Sequence, residues 1–151
     1  MPWLPTADPS LPAFEGWLQH RPELRDLYDR FYSTVWNDQL LPRSLLELCR
    51  LRIAQLHECE AELARRDLES GLSAEQYAAL DHWERATCFA PVETAALRIA
   101  DGYPWAHHAI SDEDYRAVRE HLSEPETVAL TVALALFDAT CRLRLVFELS
   151  S

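Results

Sequence analysis

Glu47 and Cys59 lie twelve positions apart, with Arg50 and His57 between them and Glu62 and Arg66 just beyond. The set combines carboxylates, a thiol, an imidazole and guanidinium groups, the side chains used for proton transfer, nucleophilic attack and anion binding. Cys59 opens a predicted helix whose positive end favours thiolate, while Glu58, Glu60 and Glu62 oppose the charge. Arg43, Glu47, Arg50, Ala54 and His57 recur at helical spacing and share a face. That face reads either as a solvated or interface stripe, or as a pocket wall with Glu47 flanked by Arg50 and His57. Glu62 and Arg66 stand four apart with the acid first, the favourable order for a helical ion pair. They equally suit the charged floor of a pocket for a polar ligand. His57, Cys59 and Glu62 match no recognised metal-ligand spacing, nor do His107 and His108 beside Trp105, so neither a metal nor another cofactor is expected.

These side chains belong to a chain of 151 residues, the size of one domain, which can bury roughly 70% of its unfolded surface. Its formal net charge of -11 repels phosphate backbones and anionic lipid, so no nucleic-acid or membrane partner is expected. All 14 basic residues are arginine, which excludes Schiff-base lysine chemistry and a P-loop lysine. Pro2, Pro5, Pro9 and Pro12 make residues 1–12 an extended arm without the basic start or apolar run of a targeting segment. The longest apolar stretch, around Val128 to Phe137, is about half a membrane span. A cytoplasmic protein with reduced thiols is expected, and Cys49, Cys88 and Cys141 read as core residues on apolar segments.

The elements that position the chemistry are helices. Pro12 and Pro22 open two early ones, the second reaching about Trp36 with Leu24, Leu27, Tyr28, Phe31 and Val35 on one face. Pro42 opens a helix over about Arg43 to His57, apolar around most of its circumference and so central. The next is predicted from about Cys59 to Glu69, with Gly71 as its left-handed cap. Ser73 with Gln76, Ser111 with Asp114 and Ser123 with Glu126 mark further starts, and Pro91 starts a helix to Asp101. The last helix, about Glu124 to Glu148, is the longest. No alternating strand pattern and no repeat occurs, so the fold class is all-α, with about seven helices over residues 13–151.

The run from Leu41 to Cys59, with Glu47 twelve positions before Cys59, resembles the alkylhydroperoxidase D (AhpD-like) and carboxymuconolactone decarboxylase family, where a core-helix Glu precedes a Cys-x-x-Cys pair. Arg21-Pro22-Glu23-Leu24, Gly71-Leu72-Ser73, the Trp83 region and Glu126 to Thr131 continue the resemblance over almost the whole chain from about Phe14. It implies a helical homo-oligomer, a trimer or hexamer, that acts on a small-molecule ligand or substrate, with peroxidase-like thiol chemistry. Glu47, Cys59 and Glu62 are the catalytic candidates it points to, and Arg66, Arg50 and His57 the substrate-binding ones.

The redox members resemble a relay of Glu, Cys-x-x-Cys and a His four positions later. Here Glu62 stands at the second cysteine position and Arg66 at the histidine position. The Glu62-Leu63 start is similar to the decarboxylase branch's E-L-x-x-H, again without its His, and Phe137 to Arg142 keeps only the Arg of an I-N-x-W-N-R run. Three functions follow as alternatives: residual thiol or hydroperoxide chemistry through Cys59, with Glu47 and Glu62 moving protons; a non-redox, decarboxylase-like enzyme for a carboxylate-bearing substrate; or a silent oligomer that binds a ligand or partner. Exposed Trp3 and Trp17 would suit an interface between copies.

Overall fold

Residues 3–149 are described by a computed structural model, and Met1 and Pro2 of the arm lie outside them. Eight α-helices form among these residues: α1 (Ala13–Leu18), α2 (Pro22–Asn37), α3 (Arg43–Leu56), α4 (Glu60–Ala64), α5 (Ala74–Ala79), α6 (Pro91–Gly102), α7 (Asp112–Arg119) and α8 (Glu124–Val146). Short 3₁₀ turns follow α5 and precede α7, and no strand occurs among the described residues. The chain is all-α.

Local chemistry sets the helix starts. Ser73, Ser111 and Ser123 each accept the backbone N–H three residues on, and Gln76, Asp114 and Glu126 return a bond to the cap. Each such box satisfies donors that the first turn leaves open. Proline occupies the first turn of α2, α6 and α8, where a missing N–H costs nothing.

α3 is buried nearly all round, with Leu45, Leu46, Leu48, Cys49, Leu51, Ile53 and Ala54 in the core. It packs chiefly against α6 and α8. Burying each such Leu or Ile stabilises the fold by about 1.5–3 kcal/mol. α2 packs on the core through Tyr28, Tyr32, Val35 and Trp36, with Tyr28 bonded to Thr140 and Trp36 against Phe137 of α8. Leu24, Leu27 and Phe31, expected on its inner face, form an exposed stripe instead, because the core covers the Tyr28–Trp36 side of the cylinder.

The arm folds back on α1. The Ala7 N–H donates to the Gly16 carbonyl at 3.0 Å, and His20 Nε2 meets the Pro5 carbonyl at 2.8 Å. Gly16 lies so close to it that a Cβ there would collide with the Thr6 side chain and the Asp8 carbonyl. Trp3 is exposed, but Trp17 is half-buried against Phe147, ring centroids 4.7 Å apart, which corrects its reading as an exposed aromatic. Cys88 likewise lies half-exposed in the loop before α6 rather than in the core.

The largest departure from expectation is α4, which ends at Ala64 and not near Glu69. Arg50 reaches across from α3 and donates to the backbone carbonyls of Glu62, at 2.8 Å, and Arg65. The Glu47 carboxylate accepts the Asp67 N–H at 3.0 Å. Backbone groups that a longer helix would pair internally are taken by α3 side chains, so the chain turns out extended at Arg65. Gly71 has φ +76 but sits in the turn before α5, seven residues past the helix it was expected to cap.

Candidate functional site

Glu47 and Arg50, one turn apart on α3, are both buried and pair bidentately, with Arg50 Nε on Glu47 Oε2 and Nη2 on Oε1, each at 2.9 Å. Arg50 Nη1 also donates to Glu62 Oε2 at 3.0 Å. The other oxygen of Glu62 takes Arg144 Nε of α8 at 2.7 Å and Arg65 Nη1 at 3.3 Å. Arg144 lies over the Phe14 ring, 4.5 Å from its centroid. Two carboxylates and two guanidiniums thus neutralise each other inside the bundle, the arrangement that buried charge requires. Burial pushes the Glu62 carboxyl up, but Arg144, Arg65 and Arg50 outweigh it and hold the carboxyl below its ordinary 4.5. A carboxylate held this way neither donates nor accepts protons readily near neutrality.

The Glu62–Arg66 pair expected from their spacing does not form. With α4 ended at Ala64 the two no longer share a helix face, and Arg66 lies over the Tyr77 ring at 4.4 Å. His57 is also away from Glu47. Its Nε2 meets Asp138 Oδ1 at 2.6 Å and its ring packs edge-on to Trp105 at 4.9 Å, because ten residues of helix separate it from Glu47 by roughly 15 Å.

Cys59 is the N-cap residue of α4 and is 1% exposed. It sits against Cys141 of α8, with both sulfurs in the main core and neither in a disulfide. The contact with the Cys141 thiol pulls the Cys59 pKa down to about 7; burial and the Glu62 carboxylate oppose this, and the Glu62 backbone N–H and Arg144 add to it. The same contact, together with burial, raises Cys141 well above the ordinary thiol range. The two thiols titrate as one pair, whose first proton leaves more readily than that of a lone thiol. The neighbouring sulfur supplies what was expected of a helix dipole, since a five-residue α4 has little of one.

A cavity of about 290 Å³ opens beside this network. Glu47, Arg50, Arg65 and Arg66 line it with Trp36 and Arg43, whereas Cys59, Glu62 and His57 are not among its lining residues. Arg43 is held by Asp67 at 2.9 and 3.0 Å and lies 5.5 Å from the Trp36 centroid. Arg50 has its donors taken by Glu47, Glu62 and the Arg65 carbonyl, and Arg43 is held by Asp67, whose carboxylate also lines the hollow, so Arg65 and Arg66 are the cations placed to meet an anionic ligand there. No group of three or more His, Cys, Asp or Glu among the described residues is placed to hold a metal ion, and no helix among them is long and apolar enough to cross a membrane.

Of the candidates named from the sequence, the structure brings Glu47, Arg50 and Glu62 into one network; Arg144, Arg65 and the contact of Cys141 with Cys59 were not foreseen. One signal was present: Cys59 and Glu62 are three apart, as are Cys141 and Arg144. Two sulfurs and two opposite charges at equal spacing are what two neighbouring segments in register would show.

No curated protein matches the chain. Among solved structures, a crystal structure from Agrobacterium tumefaciens, of a protein of unknown function described as a candidate AhpD antioxidant-defence protein, superposes with a TM-score of 0.78. It is 21% identical and the match covers 87% of this chain and 92% of that one, so the two share a fold. The sequence profile of the carboxymuconolactone decarboxylase family matches residues 22–102, from α2 through α6, which is more than half of the molecule and includes Glu47, Cys59 and Glu62. The chain belongs to the carboxymuconolactone decarboxylase family.

Proposed function

We propose that the chain is a thiol-dependent, peroxidase-like protein in which Cys59 attacks small hydroperoxides. The observation that carries this reading is the placement of Cys59 at the start of α4 against the Cys141 thiol, a contact that pulls its pKa below the ordinary thiol value and so favours thiolate near neutral pH. Glu47 and Glu62 have a different part from the proton transfer first assigned to them. Their ion pairs with Arg50 and Arg144 fix α4 and its cysteine against α3 and α8. Near-complete burial of Cys59 favours small oxidants such as hydrogen peroxide over bulky ones.

The test follows Cys59 directly. Alkylation by iodoacetamide should have a midpoint near pH 7, and hydrogen peroxide should give a sulfenic acid on Cys59 that dimedone traps. Cys59→Ala should abolish peroxide consumption. An alkylation midpoint near the ordinary 9.0, with no dimedone adduct, would sink the reading.

A second reading rests on the cavity. Arg65 and Arg66 at this hollow of about 290 Å³ would meet a small anionic ligand, which a silent member of the family would bind without turnover. Binding of small carboxylates that survives Cys59→Ala and is lost in Arg66→Ala, with no peroxide consumption, would favour it. The homo-oligomer implied by the resemblance stays part of either reading, and the exposed Leu24, Leu27 and Phe31 stripe is apolar surface available to it.

A further inference from the structure

Three contacts join the segment from His57 to Glu62 to one face of α8. His57 Nε2 meets Asp138 Oδ1 at 2.6 Å, Cys59 meets Cys141 thiol to thiol, and Glu62 Oε1 meets Arg144 Nε at 2.7 Å. On α8 the three partners are spaced by three residues each, nearly one turn, so they stack along a single stripe. The outer two rungs are short charged contacts with side chains buried or nearly so, and they hold the middle rung in register. Asp138 is further tied by Arg142 at 2.9 Å, and Glu62 by Arg50, so both ends of the ladder are braced.

From this ladder we infer that Cys59 and Cys141 are a redox couple that closes to a disulfide between the start of α4 and α8, with Cys141 as the resolving cysteine. The inference rests on the thiol reading of Cys59 and adds its second sulfur, from outside the stretch that the family profile matches. The Cys59 thiolate attacks the terminal oxygen of a hydroperoxide. An S–O bond forms as the O–O bond breaks, and the departing oxygen takes a proton to leave as alcohol or water. The Cys141 sulfur then attacks the sulfenic sulfur. The S–S bond forms, the S–O bond breaks, and hydroxide leaves with the Cys141 proton as water. Two thiols have given two electrons to one hydroperoxide, and a dithiol reductant reverses the disulfide by exchange.

The experiment uses the full chain, reduced and freed of reductant. Hydrogen peroxide in one set, and the thiol oxidant diamide in another, are followed by alkylation and non-reducing peptide mapping. Of the four free thiols, Cys59 and Cys141 should disappear together into one linked peptide, while Cys49 and Cys88 remain alkylated. Dithiothreitol should restore all of them. In Cys141→Ala the linked peptide should be absent and the Cys59 sulfenic acid should accumulate and over-oxidise. Should that variant fail to fold, the wild-type map with the two oxidants decides alone. A Cys59 sulfenic or sulfinic acid beside an alkylated Cys141, or a bond from Cys59 to Cys88, overturns the couple and leaves the thiol reading standing. Linkage by diamide without any peroxide product keeps the couple and overturns the hydroperoxide reading. No linkage with either oxidant overturns the couple.

Discussion

Glu62→Gln separates a structural ion network from an acid/base site. Glu62 is 2% exposed and takes Arg144 at 2.7 Å, Arg50 at 3.0 Å and Arg65 at 3.3 Å. With Glu47 it balances the two buried guanidiniums, Arg50 and Arg144. The amide keeps shape and some hydrogen bonds but removes one charge, and leaves Arg144, 4% exposed over the Phe14 ring, with no carboxylate. Losing one member of a buried pair costs about 3–5 kcal/mol. For a chain of this length that is roughly 10 °C in Tm. Arg144→Met costs less, because Glu62 still has Arg50 and the half-exposed Arg65. The double variant restores neutrality, so its loss should fall short of the sum of the two by at least about 1 kcal/mol. Urea unfolding of the four proteins measures this. The acid limb of stability is a second readout. Since the folded carboxyl is held below 4.5, its contribution is complete above that pH and drains away as pH falls through the depressed value, so Glu62→Gln should flatten that limb. A cost under about 1 kcal/mol with additive behaviour would refute the network and free Glu62 for proton transfer.

Two further outcomes follow from the geometry. Closing a loop from Cys59 to Cys141 stabilises the fold by about 4–5 kcal/mol in the chain-entropy treatment, so the oxidised protein should melt well above the reduced one; equal melting temperatures would mean that the bond strains the native contact. Gly16→Ala drives a methyl into Thr6 and the Asp8 carbonyl and should cost about 1–3 kcal/mol, with faster proteolysis within residues 3–12; an unchanged protection pattern would show that the arm does not rest on α1.

Signals that act within a few residues were legible in the sequence. The serine boxes at Ser73, Ser111 and Ser123 and the prolines at 22 and 91 set helix starts through their own backbone neighbours, and the starts occur where they point. Central placement of α3 was legible from apolar residues on most of its faces. The end of α4 was not, because it is set by Arg50 and Glu47 from another helix, which claim the Glu62 and Arg65 carbonyls and the Asp67 N–H. From that one long-range event came the wrong partner for Arg66. His57 was misplaced for a related reason: a shared helix face fixes direction but not distance along the axis, and Asp138 meets it from α8. Cys141 carries no local mark that it faces Cys59, and only the matching interval to Arg144 hints at it.

On the thiol reading proposed above, the residue that departs most from the family's redox pattern also helps to position the second sulfur. At position 62 a carboxylate cannot resolve a sulfenic acid, and buried there alone it would be costly. Arg50 and Arg144 neutralise it, and Arg144 can reach it only because α8 lies alongside the start of α4 at that height. One turn back on α8, the same alignment sets Cys141 on Cys59. Glu62 thereby holds the register in which a sulfur from a distant helix meets the cysteine. A charge at position 62 and a sulfur at position 141 are two parts of one arrangement, in which, on the inferred couple, a sulfur on α8 would stand in for the one expected three residues after the first.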